Sequence, residues 1–397
     1  MKAVSRLAEV FGAFLKLGLT SFGGPIAHLG YFRDEFVVRR RWLSEKAYAD
    51  LVALCQFLPG PASSQVGMAL GLQRAGLTGA VAAWLAFTLP SALALMAFAY
   101  GLAAYPEWAD SGWVHGLKLA AVAVVAQAVW SMGRTLCPDR ARATLALAVA
   151  FVVLSVPGAV VQVLAILAGG FIGWRFLPFA DHEPHVSIGF PVSRRVGFWL
   201  LLAFFALLLG LPALAAVSGI RALDAFEAFY RAGSLVFGGG HVVLPLLHTE
   251  VVPSGWVSNA DFLAGYGAAQ AVPGPLFTFA AYLGVVMNGP VSGWSGALIC
   301  LTAIFLPAFL LIVGVLPFWE QLRRYKSVAA AFNGVNAAVV GLLLAALYDP
   351  IWTGTIHSHG DFILAAGGFA ALMFWKLPPL AVVAATALGG AVLALTQ

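Results

Sequence analysis

The chain has 397 residues, of which 61% are hydrophobic and only 10% charged, and its mean hydropathy is +0.91. Soluble domains carry roughly 25% charged residues, so the composition is that of an integral membrane protein. The net charge of +5 comes with no basic tail and no basic patch interleaved with aromatics, which argues against a nucleic-acid partner.

The chain opens with MKAVSRLAEVFGAFLKLGLTSFGG, a basic lead and an apolar stretch without a small-residue cleavage pattern. It is expected to be retained rather than removed as a signal peptide. Apolar runs with almost no charge follow at 76–101, 113–133, 143–175, 196–217, 291–317, 328–348 and 362–396, where one helical crossing needs about 20 residues. The runs at 143–175 and 362–396 are long enough for helical hairpins and carry the turn signals SVPG and KLPP at their centres. Nine spans are predicted. Strands of a β-barrel would alternate over about 10 residues, so helices are favoured. Cys55, Cys137 and Cys300 stand singly with no CxxC spacing, so neither a disulfide framework nor a metal site is indicated. No cofactor is called for.

An internal repeat organises the chain. FGAFLKLGLTSFGGP at 11–25 superposes on FEAFYRAGSLVFGGG at 226–240 with an offset of 215, which pairs Gly18 with Gly233, Lys16 with Arg231 and Glu35 with Glu250. With the offset at 214, QFLPGP falls on QAVPGP, so Gln56 pairs with Gln270, and Pro59, Gly60 and Pro61 pair with Pro273, Gly274 and Pro275. Pro90 corresponds to Pro307, and the late hairpins correspond through Pro157 and Pro378. The predicted units are 1–175 and 224–397, joined across 176–223 by a polar stretch and one unpaired apolar span at 196–217. An even number of crossings per repeat with a single linking span sets the second repeat upside down.

Charge placement agrees with that inversion, since short cytoplasmic loops collect Lys and Arg. The loop at 33–46 holds Arg33, Arg39, Arg40, Arg41 and Lys46, whereas its counterpart at 248–261 holds none. Arg134, Arg140, Arg142, Arg194, Arg195 and the RRYK at 323–326 also fall inside, which puts the N-terminus in the cytoplasm and the C-terminus outside. The trace requires residues 7–29 and 47–75 to return to the side they came from. Glycine permits a tight turn and proline suits a helix start, so SFGGP and PGP read as places where one half-helix ends and another begins.

Inverted repeats with discontinuous helices point to a midplane binding site in secondary transporters. A helix start presents free N–H groups and about half a positive charge, and no carboxylate lies inside the motifs. The predicted site therefore takes a small oxyanion. Its candidate residues are Ser21, Phe22, Gly23, Gly24, Pro25, Gln56, Pro59, Gly60, Pro61, Ser63 and Ser64 in the first repeat. Phe237, Gly238, Gly239, Gly240, Gln270, Pro273, Gly274 and Pro275 are their counterparts in the second, with Thr278 a further hydroxyl. Lys16 and Arg231 lie upstream of the glycines on apolar segments, where a cation is costly and by default functional. His28 and His241 are first read as core histidines, with proton carriage or gating as the alternative.

Plainer readings stand beside these. Glycines in membrane helices also serve close packing, Lys16 and Arg231 are also placed to snorkel to an interface, Gln56 and Gln270 also suit helix gluing, and Phe22 and Phe237 read as packing before gating. Repetition of the glycines together with proline tips the balance toward a site. Valine at Gly24 is expected to leave the protein folded but abolish transport, and valine at Gly239 to have a smaller effect.

With those residues in view, the chain resembles the chromate ion transporter family. The resemblance is carried by FLKLGLTSFGGPIAHLGYF, the following Trp42 and QFLPGPASSQVGMALG, with a weaker copy in FGGGHVVLPLLHTEV and QAVPGP, and it covers nearly the whole chain. It implies a polytopic bacterial inner-membrane protein, with two copies of the family domain, that exports chromate and takes sulfate as an analogue. It carries over the motif residues Gly23, Gly24, Pro25, Pro59, Gly60 and Pro61. The second copy departs from the pattern, with Gly240 opposite Pro25 and no paired serines after its PGP, so the first half-site is expected to dominate. The alternatives are a transporter or exchanger of sulfate or another tetrahedral oxyanion, or an anion channel. An intramembrane enzyme built on Ser63 or Ser64 lacks a GxSxG elbow and a paired aspartate. Lipid is the other expected partner, and a homodimer is the candidate assembly.

Overall fold

A computed structural model of the protein describes residues 2–177, 190–289, 291–322 and 326–396. Most of the polar stretch at 175–195, together with Arg323 and Arg324 of the RRYK cluster, lies outside the described residues. Helix α1 (Lys2–Thr20) stops at Ser21, and α2 (Gly24–Phe32) continues into a π-helical turn over Arg33–Arg39. Next come α3 (Glu45–Phe57), capped by the Ser44 hydroxyl, and α4 (Ala62–Ala104). Ala75 and Gly76 leave helical backbone angles inside α4, so it is a short helix bent onto a long one. Helices α5 (Gly112–Leu136), α6 (Arg140–Ser155) and α7 (Ala159–Phe176) complete the first repeat, and α8 (Arg194–Ser218) links it to the second.

The second repeat runs through α9 (Arg221–Ser234), a 3-10 turn into α10 (Val243–Val251), α11 (Asn259–Ala269), a 3-10 turn into α12 (Phe279–Val286) and α13 (Gly293–Val315). It ends with the short α14 (Trp319–Leu322), α15 (Lys326–Ala346), α16 (His359–Met373) and α17 (Pro379–Thr396). The described residues contain no strand. This is an all-α polytopic membrane protein of two repeats with broken helices, joined by one linking helix.

Among the described residues six helices are long and apolar enough to cross a membrane, against nine predicted spans. The remaining three, α6, α16 and α17, are helices of 16, 15 and 18 residues. The two long apolar runs do divide at the predicted turns: Gly158 takes a φ of +146° after Pro157, and Lys376 a φ of +52° before the paired prolines. The divisions leave α6 and α16 well short of a crossing of about 20 residues, and α7 and α17 at 18.

The broken helices double back. Phe14 on α1 lies 4.8 Å from Phe36 beyond α2, and Arg40 reaches Glu9 near the start of α1 at 3.1 Å. Arg74, at the far end of the second hairpin, bonds the same Glu9 at 2.7 Å, and both guanidiniums lie over Trp42 at 5.8 and 5.4 Å. Both hairpins of the first repeat therefore begin and end on one face of the molecule. In the second repeat the Asn288 N–H bonds the Trp256 carbonyl, which closes the equivalent hairpins at their ends.

Packing then exchanges elements between repeats. The α6–α7 hairpin lies on α15, and α16 and α17 lie on α5. Small residues allow this: a Cβ at Gly173 would meet the Ala330 carbonyl at 2.5 Å, and one at Gly112 the Gly390 carbonyl at 2.5 Å. Close backbone approach through glycine is how helices associate in lipid, where burial of apolar surface gives no drive. Linker α8 packs on α9 and α13, and the Tyr230 hydroxyl donates to the Phe204 carbonyl at 3.1 Å.

Candidate functional site

The four helix breaks meet at the centre of the fold, each touching the opposite repeat. The Gly60 N–H donates to the Val236 carbonyl at 2.7 Å, and the Gly274 N–H donates to the Ser21 carbonyl at 2.9 Å. These bonds are equivalent, since Ser21 pairs with Val236 and Gly60 with Gly274 in the repeat. Their surroundings follow the same rule. A Cβ at Gly60 would lie 3.1 Å from the Ala308 Cβ, and one at Gly274 would lie 2.8 Å from Ser91 Oγ. Ser91 and Ala308 each follow a proline inside a long helix, Pro90 in α4 and Pro307 in α13. A Cβ at Gly240 would sit 3.4 Å from the ring of its counterpart Pro25, so the pseudo-two-fold axis passes between these two residues.

Local sequence builds these crossings. Gly23 and Gly24 adopt φ of +101° and +76°, Gly60 +117°, Gly238 +72° and Gly274 +93°, a region open to glycine and costly to residues with a side chain. Pro25 sits in the first turn of α2 and Pro61 is the residue before α4. No side chain caps the start of α2, α4, α10 or α12. Gln65 is the first residue of α4 whose N–H finds a carbonyl, that of Pro61, as expected for the free first-turn amides of a helix.

Buried polar side chains gather around the first-repeat breaks. His28 is fully buried; its Nε2 lies 3.2 Å from the Ser21 carbonyl and its Nδ1 3.4 Å from Ser63 Oγ. The Phe87 ring packs edge-on to this imidazole at 5.3 Å. Ser21 Oγ, Ser64 Oγ, Gln65 Oε1 and Thr88 Oγ1 are buried and have no hydrogen-bond partner among the described residues. The Gln65 amide is oriented by its Nε2, which donates to the Pro59 carbonyl at 2.8 Å, and that leaves its oxygen as a bare acceptor. Second-repeat positions are apolar or satisfied: Val236, Val243 and Phe277 stand opposite Ser21, His28 and Ser63, and the Thr278 hydroxyl donates to the Pro275 carbonyl at 2.7 Å.

Other candidates lie differently. Gln56 is exposed, and the Gln270 Nε2 donates to the Tyr266 carbonyl one turn back at 3.4 Å. His241 pairs with the Tyr266 hydroxyl at 2.8 Å. Phe22 is half-buried, and Phe237 packs on Phe332, which in turn lies 4.0 Å from Phe57. Lys16 is 4.0 Å from Glu35, while Arg231 is held by Glu227 at 2.6 Å and Glu250 at 2.7 Å. Each cation thus pairs with carboxylates of its own repeat, Lys16 with Glu35 and Arg231 with Glu227 and Glu250, the last being the counterpart of Glu35. Burial pushes the Glu35 carboxyl up, but hydrogen bonds from Arg40 and Arg39 outweigh this and hold it below the usual carboxylate range.

Sequence reasoning missed Gln65, Thr88 and Ser91. The signal was available in FTLPS at 87–91, two hydroxyl residues bracketing a proline inside an otherwise apolar run.

The chromate transporter family model matches residues 8–174 and 223–391, one copy in each repeat. A chromate transport protein of Pseudomonas aeruginosa is 31% identical over 391 residues, covering 96% of this chain and 91% of that relative. A probable chromate transport protein of Synechococcus elongatus is 28% identical over 94% of this chain and 90% of its own length. An uncharacterized transporter of Bacillus subtilis, YwrA, is 29% identical over 42% of this chain and 95% of its own length, so one repeat corresponds to a whole half-length protein. No solved structure matches.

Proposed function

Because this chain belongs to the chromate transporter family, we propose that it is a secondary transporter, not an enzyme, that carries chromate out of the bacterial cytoplasm across the inner membrane. Sulfate is the natural analogue, being a tetrahedral dianion of similar hydrogen-bonding pattern. The anion is held where the helix breaks meet, chiefly by first-repeat groups. What supports this reading is the set of unpartnered hydroxyls of Ser21, Ser64 and Thr88 beside uncapped helix starts that contain no carboxylate. A buried polar group left without a partner costs about 1–3 kcal/mol, and an oxyanion would supply the missing acceptors. Gln65 Oε1, an acceptor, would be met by a water or by the proton of a hydrogen-bearing oxyanion. Inverted repeats suit alternating access about such a site.

Ser64→Ala and Thr88→Val separate this reading from plain packing. Each removes a buried hydroxyl that has no protein partner, so folding stability should stay level or rise. A hydrogen bond to a charged ligand is worth about 1.5–3 kcal/mol, so the apparent KM in proteoliposomes should rise about tenfold or more. Unchanged KM for chromate, sulfate, molybdate and phosphate in both variants would count against the site. Counter-transport of labelled anion in the same vesicles distinguishes a carrier from a channel.

The orientation has its own test. Single cysteines introduced at 37–41 should react with a membrane-impermeant reagent only from the cytoplasm, and those at 255–259 only from outside. Labelling of both sets from one side would remove the inversion and with it the alternating-access mechanism.

A further inference from the structure

The central contacts are symmetric in the backbone but not in their side chains. The Ser21 carbonyl takes two donors, the Gly274 N–H of the second repeat and His28 Nε2, whereas among the described residues no side chain joins the Gly60 N–H on the Val236 carbonyl. A carbonyl only accepts, so Nε2 carries the ring proton and the neutral ring's Nδ1 accepts from Ser63 Oγ. His28 therefore joins three breaks: its own turn at Ser21, the start of α4 at Ser63 and, through Ser21, the second repeat's PGP at Gly274.

We infer that His28 is a positioning residue whose protonation turns the Ser63 hydroxyl toward the transported anion, so that proton and oxyanion bind cooperatively. This rests on the anion site proposed above. When Nδ1 gains a proton it becomes a donor, and Ser63 Oγ must switch from donating to accepting. The Ser63 hydroxyl hydrogen is released to point elsewhere, one residue from the unpartnered Ser64 Oγ at the start of α4. The imidazolium adds a positive charge at the same place. Proton balance is simple: one proton enters from water onto Nδ1, and none leaves Ser63.

The elements packed around His28 bring few other titratable groups. α1 carries Lys16 and the turn after α2 carries Glu35, which pair with each other. α3 carries buried Asp50 and Tyr48, whose hydroxyl donates to the Leu29 carbonyl at 2.6 Å. From α4 come Ser63 and the Phe87 ring, and from the second repeat the Gly274 backbone.

The sign follows from reciprocity: if protonation favours the anion, the anion favours protonation by the same factor. Affinity should rise as pH falls through the His28 titration, by up to about tenfold per pH unit, and binding should take up protons. The experiment is calorimetry of sulfate binding to the purified full-length protein in two buffers of different ionisation enthalpy between about pH 4 and 8. Sulfate itself carries no proton there. The wild type should show proton uptake. His28→Gln keeps a donor for Ser21 and an acceptor for Ser63 but cannot titrate, so it should bind sulfate with no proton uptake and a flat pH profile. Ser63→Ala keeps the imidazole and removes the switching hydroxyl, so the uptake should shrink there too, with unfolding midpoints of both variants close to wild type. Undiminished proton uptake in His28→Gln, or pH-independent binding in the wild type, overturns the role of His28 and leaves the anion site standing. No sulfate or molybdate binding by the wild type at any pH overturns both.

Discussion

Gly274→Val is expected to abolish transport while leaving an inserted, monodisperse protein. Gly274 has a φ of +93°, and its N–H makes one of the two central bonds between repeats. A Cβ there would lie 2.8 Å from Ser91 Oγ and 3.1 Å from the Phe87 carbonyl, and the second of these is backbone that cannot swing away. Holding a side-chain-bearing residue in that conformation costs about 1–3 kcal/mol, and overpacking adds about 1–3 kcal/mol. The strain is relieved by moving the second PGP off Ser21, which separates the breaks at which the anion site is proposed. Gly60→Val should behave alike, since its φ is +117° and its Cβ would meet Ala308 at 3.1 Å. Gly24 is the control: its φ is +76° but no atom lies within 4 Å of a Cβ there. Gly24→Ala should cost only the backbone strain, about 1–3 kcal/mol, with no added overpacking, and keep much of the activity. Initial rates in proteoliposomes, compared at equal incorporation, decide the matter, and normal transport by Gly274→Val would make the crossing dispensable.

Arg231→Ala is expected to destabilise the protein by about 3–5 kcal/mol, the usual cost of stripping one partner from a buried ion pair. Its guanidinium makes four hydrogen bonds, two each to Glu227 and Glu250, whose side chains are only 11% and 14% exposed. Without Arg231 two buried carboxylates are left facing each other. Lys16→Ala should cost less than about 1 kcal/mol, because Lys16 is 56% exposed and Glu35 keeps Arg39 and Arg40. Thermal unfolding in detergent reads the difference. Equal losses in both variants would show that the two repeats bear their charges alike, and a low-salt loss of anion affinity in Lys16→Ala would restore that cation to the site's field.

The expected sensitivity at Gly24 shows where sequence reasoning stops. SFGGP and PGP mark turns because glycine and proline act on their own backbone, so the breaks at 21–25, 58–61, 235–240 and 270–275 are legible one by one. The membrane character and the repeat are equally legible, since hydropathy and spacing are properties of the chain read along its length. The recurrence of like charges, Lys16 with Arg231 and Glu35 with Glu250, is legible too, but not that each cation meets a carboxylate of its own repeat.

What lies opposite a residue belongs to the tertiary structure. Nothing local says that the Gly274 amide finds the Ser21 carbonyl, or that Gly60 meets Ala308 while Gly24 faces open space. Nor does hydropathy separate Ser64 and Thr88, buried without partners, from Thr278, which bonds the nearby Pro275 carbonyl. A membrane-embedded, twice-repeated chain with four helix breaks is written in the order of residues, because composition, periodicity and backbone freedom are local. The tertiary structure alone decided which breaks touch, which cations are already paired and which hydroxyls stay unpartnered, because those depend on contacts between segments far apart in the chain.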